Sequence, residues 1–355
     1  MTILLLMMMF MLGSGSLFNM PQAVATDWIG NHVFRDRAPV IADETFSFRE
    51  KSDRIEIRLG NQLIASYLKK HSQLTRQGLI NVTTQRGIPV TREFPPRLPE
   101  DRTPGQAGID HQWMHPGIWI SFGDLNGNDY WRMKSVVEFQ KRIGPWSGGA
   151  GRGGFTVENR YLEKNKIGFV CLETTRFEFR RVAAGYVIFI QSAYHSDDSD
   201  FYFGDQEESG LAIRVASPLR VTDGKGTILN DRGQKNGEQI WGKAAKWFDY
   251  YGQVDDRQVG LLVASGSKNP PSTWLHARDY GLVVTNPFPR QPRERREPFI
   301  KTKVKKGIPF RLTYAVLVHD LPHSKELDRE AFFLEMLAAL DSLPPLEGQQ
   351  AKSPR

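Results

Sequence analysis

Cysteine is almost absent. Cys171 is the only one in 355 residues, so no intramolecular disulfide can form, and a chain of this length needs none to hold a core. Set in Phe169-Val170-Cys171-Leu172, it reads as a small buried hydrophobe rather than a thiol nucleophile. Beyond the N-terminus no run is long and apolar enough for a membrane-spanning helix. No phosphate-cradling glycine loop, nucleophile elbow or cysteine-based metal motif occurs. Internal repeats and long linkers are missing too. What is left is a globular composition, 40% hydrophobic and 25% charged.

The N-terminus reads as a targeting signal. Ile3 to Leu12 is nearly all Leu, Met, Ile and Phe, and Ala23-Val24-Ala25 has the small-x-small form of a cleavage site. A signal peptide over 1–25 and export to the periplasm or the exterior are the expectation. The formal charge is +7, part of it from Arg290, Arg293, Arg295 and Arg296. That run has no interleaved aromatics, which speaks against nucleic acid and for a solvated loop. An acidic polysaccharide is the better candidate for an anionic partner. Asp197-Asp198-Ser199-Asp200, with Glu207-Glu208 nearby, lacks the spacing of a calcium loop and reads as an exposed acidic turn. Asn81-Val82-Thr83 is a glycosylation sequon.

Period-two patterns dominate. Arg54 to Leu59 alternates strictly, and Gly60-Asn61 turns it into Gln62 to Leu68, a hairpin signal. Strands are expected at Ile118–Phe122, Thr156–Leu162, Gly168–Thr174, Thr175–Arg181, Gly185–Tyr194, Leu211–Ala216, Gly260–Ala264, Gly281–Thr285 and Phe310–His319. The glycine-rich stretch from Ile143 to Gly154 reads as a mobile loop, and 84–108 as an irregular approach. One helix is predicted, over Lys325 to Leu340, stopped by Pro344-Pro345. The expectation is an all-β fold: one large antiparallel β-sandwich over 26–343 with a C-terminal helix, then a disordered tail over 344–355.

The stretch from Asp110 to Gly127 concentrates chemistry. It holds His111 and His115, two of eight histidines, with Asp110, Asp124, Trp113 and Trp119. Polar loops at the ends of a buried strand are a common way to present a site. The spacing of His111 and His115 suits a metal on a helix, but Pro116-Gly117 argues against a helix here. Loop-fixing hydrogen bonds for the histidines, and an Asx turn for Asp124, are the plainer readings.

Three stretches together resemble a bacterial family of unknown function labelled PmoA-like. They are Asp110-His111 with His115-Pro116-Gly117-Ile118-Trp119 and Gly123-Asp124-Leu125-Asn126-Gly127; Gly210-Leu211-Ala212-Ile213-Arg214-Val215-Ala216; and Trp241-Gly242-Lys243, Trp247-Phe248-Asp249-Tyr250-Tyr251-Gly252, then Trp274, His276, Arg278, Tyr280-Gly281 and Asn286-Pro287-Phe288. Gln112-Trp113-Met114-His115-Pro116 departs from the family's Pro-His-His-Arg by one histidine and one arginine. The methane-oxidation label is discounted, because that complex is an integral membrane assembly. The closing strand, Arg311 to His319, is similar to the last strands of galactose-mutarotase-like supersandwiches, which implies carbohydrate as the partner.

On that basis His111, His115, His276 and Asp124 are the candidate catalytic residues for acid/base chemistry on a sugar or glycoside, by cleavage or epimerisation. Arg214, Arg278, Tyr280, Trp119 and Trp274 are the candidate sugar-binding residues. A divalent metal is the candidate cofactor, with His111, His115 and His276 as candidate ligands. The rival is a non-catalytic carbohydrate-binding or surface-assembly protein; a metal-dependent oxygenase ranks last.

Overall fold

A computed structural model describes residues 45–97, 111, 113–147, 149, 151–165, 167–271, 273–288 and 300–346. The expected signal segment, Asp110, the arginine run at 290–296 and the tail from 347 lie outside the described residues.

Two antiparallel sheets face each other. The larger has nine strands. In spatial order they are β1 (Phe46–Glu50), β2 (Arg54–Leu59), β3 (Gln62–Leu68), β4 (Gly78–Ile80), β5 (Ile118–Phe122), β11 (Ser209–Arg214), β17 (Leu282–Asn286), β16 (Trp274–Arg278) and β13 (Lys243–Ala244). The second has eight strands. These run β12 (Gly226–Asn230), β14 (Trp247–Val254), β15 (Arg257–Ser265), β19 (Phe310–Pro322), β9 (Gly185–His195), β8 (Phe169–Val182), β7 (Arg152–Leu162) and β6 (Val137–Ser147). A ribbon of β10 (Phe201–Gly204) and β18 (Lys301–Val304) stands apart.

Alternation decides which side chains enter the sandwich. From the large sheet Ile118, Phe122, Leu211, Ile213, Leu275, Ala277 and Val283 point inward, against Phe155, Val157, Ile188, Ile190, Leu261, Val263, Val316 and Val318 of the second. The alternate residues face outward. On the second sheet these are Val187, Phe189, Leu262, Ala264, Ala315 and Leu317, and the helix Arg329–Ser342 covers them with Phe332, Phe333, Met336 and Leu340. Asp328 caps that helix by accepting from Ala331 N–H at 3.0 Å. His319 and Arg329 clamp it down through Asp249: His319 Nε2 lies 2.9 Å from Oδ1 and Arg329 Nε 2.7 Å from Oδ2.

Several expectations change. The two strands predicted over 168–181 are one continuous strand, β8, because Thr174-Thr175 offers no turn chemistry. The glycine-rich stretch is largely strand: β6 and β7 pair up to Ser147 and Gly153. The helix begins at Arg329 rather than Lys325, and Leu334 faces solvent at 52% exposure, so the buried stripe runs through Phe332, Phe333 and Met336 instead. The chain just past the helix is pinned. Arg176 Nη1 donates to Pro344 O (3.2 Å) and Arg311 Nη2 to Leu346 O (3.0 Å), so the expected tail does not begin at 344. Asn81 of the sequon is engaged, donating to Phe94 O (2.8 Å) and accepting from Phe94 N (2.7 Å).

Candidate functional site

The outer face of the large sheet has no helix over it among the described residues. Register orders its side chains in rows. Trp119 on β5 pairs with Ala212 on β11, Ala212 with Val284 on β17, and Val284 with His276 on β16. Arg214 pairs with Leu282, and Leu282 with Arg278. The two ends of the first row are three strands apart, roughly 14 Å at a spacing of about 4.8 Å. Two polar clusters result, one at each end.

The first cluster centres on His276. Glu207 sits in the loop between β10 and β11, tied to β17 by Asn286 Nδ2, which donates to Gln206 O (2.7 Å) and Glu207 O (3.0 Å). Three side chains converge on Glu207 Oε1. His276 Nδ1 is 2.7 Å away, Arg278 Nη2 donates at 3.1 Å and Trp241 Nε1 at 3.2 Å. The His276 contact is short but poorly aligned with the ring N–H direction. Arg278 also lies over the Trp241 ring at 4.5 Å, and Trp241 meets His276 edge-on. No described residue bonds Glu207 Oε2, and the side chain is 35% exposed. Burial pushes the Glu207 carboxyl up, but His276, Arg278 and Trp241 outweigh it and hold it below its ordinary value. Burial pulls His276 below the usual imidazole value, against the opposing pull of Glu207. At neutral pH this is a carboxylate beside a neutral imidazole.

The second cluster centres on His115. Gly117 makes it possible. Its φ is +49°, and a Cβ there would lie 1.9 Å from Leu79 O, so the chain can pass tightly under β4 only with glycine. His115 is 2% exposed and stacks on Trp119, with ring centroids 5.6 Å apart. Trp131 closes the triangle, 5.8 Å from His115 and 5.5 Å from Trp119. Arg76 lies over Trp119 at 5.2 Å and donates to Trp131 O (3.2 Å) and to Met114 O. Arg214 lies over Tyr280 at 4.6 Å, and Arg92 N donates to Arg214 O (2.9 Å). Burial, then the charges of Arg214, Arg76, His111 and Arg92, drive the His115 pKa well below its usual value.

The predicted residues therefore divide. His115, Trp119, Arg214 and Tyr280 gather at one end of the face, with exposed His111 beside them at 5.2 Å from His115. His276 and Arg278 gather at the other. His111, His115 and His276 do not converge, and among the described residues no three His, Cys, Asp or Glu side chains form a metal-ligand group. Asp124 builds the turn after β5, at the far end of that strand from His115. Its Oδ1 accepts from Gly127 N at 2.8 Å, and a Cβ on Gly204 would lie 2.2 Å from its Oδ2. Trp274 is 2% exposed and donates from Nε1 to Phe288 O (2.8 Å), so it packs rather than presenting a face. Trp119 is equally buried. The half-buried aromatics on this face are Trp241 and Tyr280. Glu207, Arg76, Arg92 and Trp131 were not among the expected site residues. The Glu207-Glu208 pair carried a signal, though it read as an acidic turn.

The molecule is thus an all-β sandwich, one outer sheet face covered by a helix and the other lined with a polar and aromatic site. The chain belongs to DUF6807, a family of unknown function, whose profile matches residues 54–332. The family's description carries no oxygenase label. None of the curated proteins matches the chain. Among solved structures, a galactose mutarotase-like protein from Lactobacillus casei ATCC 334 is 10% identical, covers 77% of this chain and 100% of its own, and has a TM-score of 0.36. One from Clostridium acetobutylicum is 8% identical, covering 79% and 100%, with a TM-score of 0.38. A galactose mutarotase related enzyme from Lactobacillus acidophilus is 10% identical, covering 79% and 100%, with a TM-score of 0.30.

Proposed function

We propose that this is an exported protein that binds carbohydrate on the outer face of the large sheet and performs acid/base chemistry on it. Glu207 is the proton-handling group. One observation carries the reading: Arg278 and Trp241 donate to Oε1 and His276 Nδ1 lies 2.7 Å from it, while Oε2 has no partner among the described residues. A carboxylate fixed on one oxygen and open on the other is aimed for a ligand hydroxyl or an acidic C–H. His276 orients it. Arg278 supplies donors to ring oxygens, and the Trp241 and Tyr280 rings offer apolar faces to a pyranose. Nearby carboxylates are engaged: Glu208 pairs with Arg132, and Asp279 Oδ1 accepts from Gly237 N at 2.7 Å. With no second open carboxylate opposite Glu207 among the described residues, elimination or epimerisation fits better than two-carboxylate hydrolysis. Export rests on the apolar run and small-x-small site within residues 1–25.

Binding without turnover is the second reading. It is favoured by the lowered Glu207 pKa, because the donors that orient the carboxylate also weaken it as a base. A turnover assay on neutral and acidic oligosaccharides, wild type beside Glu207→Gln, separates the two. Turnover abolished in the variant with sugar binding retained supports catalysis. Sugar binding with no turnover by either protein supports the second reading.

A further inference from the structure

The Glu207 carboxylate is only as well aimed as the loop that carries it. That loop, 205–208, joins β10 to β11 and is neither strand nor helix. Three successive carbonyls of the loop each accept a hydrogen bond. Asn286 Nδ2 donates to Gln206 O (2.7 Å) and Glu207 O (3.0 Å), and Gly123 N donates to Glu208 O (2.9 Å). Asn286 is the last residue of β17 and is fully buried. Its amide is fixed in orientation, because Oδ1 accepts from Phe288 N at 2.9 Å. Phe288 is held in turn. Trp274 Nε1 donates to its O (2.8 Å), and its ring stacks on Phe203 at 5.4 Å. A carboxamide offers two N–H donors and an acceptor on one short planar group, and all three are used here. Asn286 also pairs with Trp274 across β17 and β16. One strand of that pair carries His276 and Arg278, and the other carries the anchor of the Glu207 loop.

We infer that Asn286 is the positioning residue for Glu207: through the Gln206 and Glu207 carbonyls it sets where the carboxylate meets His276, Arg278 and Trp241. The inference rests on the reading that Glu207 moves protons on a sugar. Asn286 has no exposed surface to offer a ligand, so it acts only through the loop. Groups that do chemistry must be held within about 0.5 Å of their productive geometry, and a displacement of about 1 Å can cost about 10²-fold in rate. Without the Asn286 amide two carbonyls lose their donors, and the loop shifts to recover partners elsewhere.

The test is a pH titration of the Glu207 carboxyl by carbon-13 NMR in the full chain, its signal assigned with Glu207→Gln. His276 and Arg278 are the charged groups that hold this carboxyl low in the wild type. In Asn286→Ala it is expected to titrate higher, toward the ordinary glutamate value, because the carboxylate no longer meets them. Asn286→Leu fills the same space without the amide, and it serves if the Ala variant fails to fold. Asn81 braces Phe94 in the same two-way manner just past β4, three strands from β17. Asn81→Ala is expected to lower the melting temperature and leave the Glu207 titration unchanged. On a digalactoside or digalacturonate that the wild type turns over, Asn286→Ala should lower kcat by about tenfold or more with KM within about twofold. A Glu207 titration that stays at the wild-type value in the Asn286 variants, or that moves as far in Asn81→Ala, would overturn the inference. A shifted titration with no turnover by the wild type would uphold Asn286 as the positioning residue and count against the acid/base reading alone.

Discussion

His276 Nδ1 lies 2.7 Å from Glu207 Oε1, which joins a strand residue of the large sheet to a loop that leads into that sheet's centre. The same oxygen takes Arg278 and Trp241, so three side chains from two separate stretches of chain meet one carboxylate. Replacing Glu207 by Gln keeps the shape and removes the charge. Turnover is expected to fall by about 10²-fold or more, in line with loss of a general base. The fold, read by circular dichroism, should persist.

Trp274 and Trp241, both on the outer face, should behave in opposite ways. Trp274 is buried and its Nε1 is satisfied, so Trp274→Ala should destabilise the protein by about 3–5 kcal/mol in a denaturant titration. Half-buried Trp241 should be dispensable for folding, while Trp241→Ala weakens sugar binding. Equal stability losses for both would mean that Trp241 is core as well.

Acidification should destabilise the fold through histidine before it acts through carboxylates. His115 and His276 both have folded-state pKa values below the ordinary 6.5. Below about 6.5 the unfolded chain takes up protons that the folded chain refuses, so stability falls as pH drops through that value and is fully present above it. Melting temperature against pH should show this slope between the ordinary histidine value and the lowered ones. His115→Gln should flatten it.

Asp249 behaves in the complementary way. Burial raises its carboxyl, but His319 and Arg329 outweigh burial and hold it below the ordinary value of 3.8. Its contribution is present above that value and lost as pH falls through the lowered one. Asp249→Asn leaves Arg329 buried without its counter-charge at neutral pH. A loss of about 3–5 kcal/mol is expected, with faster amide exchange in the C-terminal helix than in the large sheet.

Gly117→Ala tests the turn under His115. The substituted Cβ would meet Leu79 O at 1.9 Å on a backbone with φ of +49°. A destabilisation of more than about 2 kcal/mol is expected from the clash and the strained φ together. Sugar binding should weaken even in conditions where the variant stays folded.

Much of the sandwich is legible in local pattern because each strand's alternation reports one buried face. Arg54–Leu59 and Phe310–His319 carry it, and both are strands. The same pattern placed Arg214 on a strand but not His276 or Arg278, whose strand β16 was not expected, and it did not reveal which residues share a row, since register is set between strands distant in sequence. Glu207 was hidden for another reason. An acidic pair in a turn looks like solvated surface until His276, Arg278 and Trp241 are brought to it. Arg76 was hidden in polar Ser72-Gln73-Leu74-Thr75-Arg76-Gln77, where nothing local announces a buried guanidinium. Conversely, Asp124 stood out in a dense motif, yet the Asn126 and Gly127 backbones, both at positive φ, explain it as turn chemistry.

The most direct test is turnover of a panel of neutral and acidic oligosaccharides by wild type and Glu207→Gln, followed by NMR of the sugar so that epimerised, eliminated and hydrolysed products are told apart. The account predicts an epimerised or unsaturated product from wild type and none above background from the variant, which still binds the sugar. Full activity in Glu207→Gln would contradict it, because the open Oε2 of Glu207 would then play no part in the chemistry.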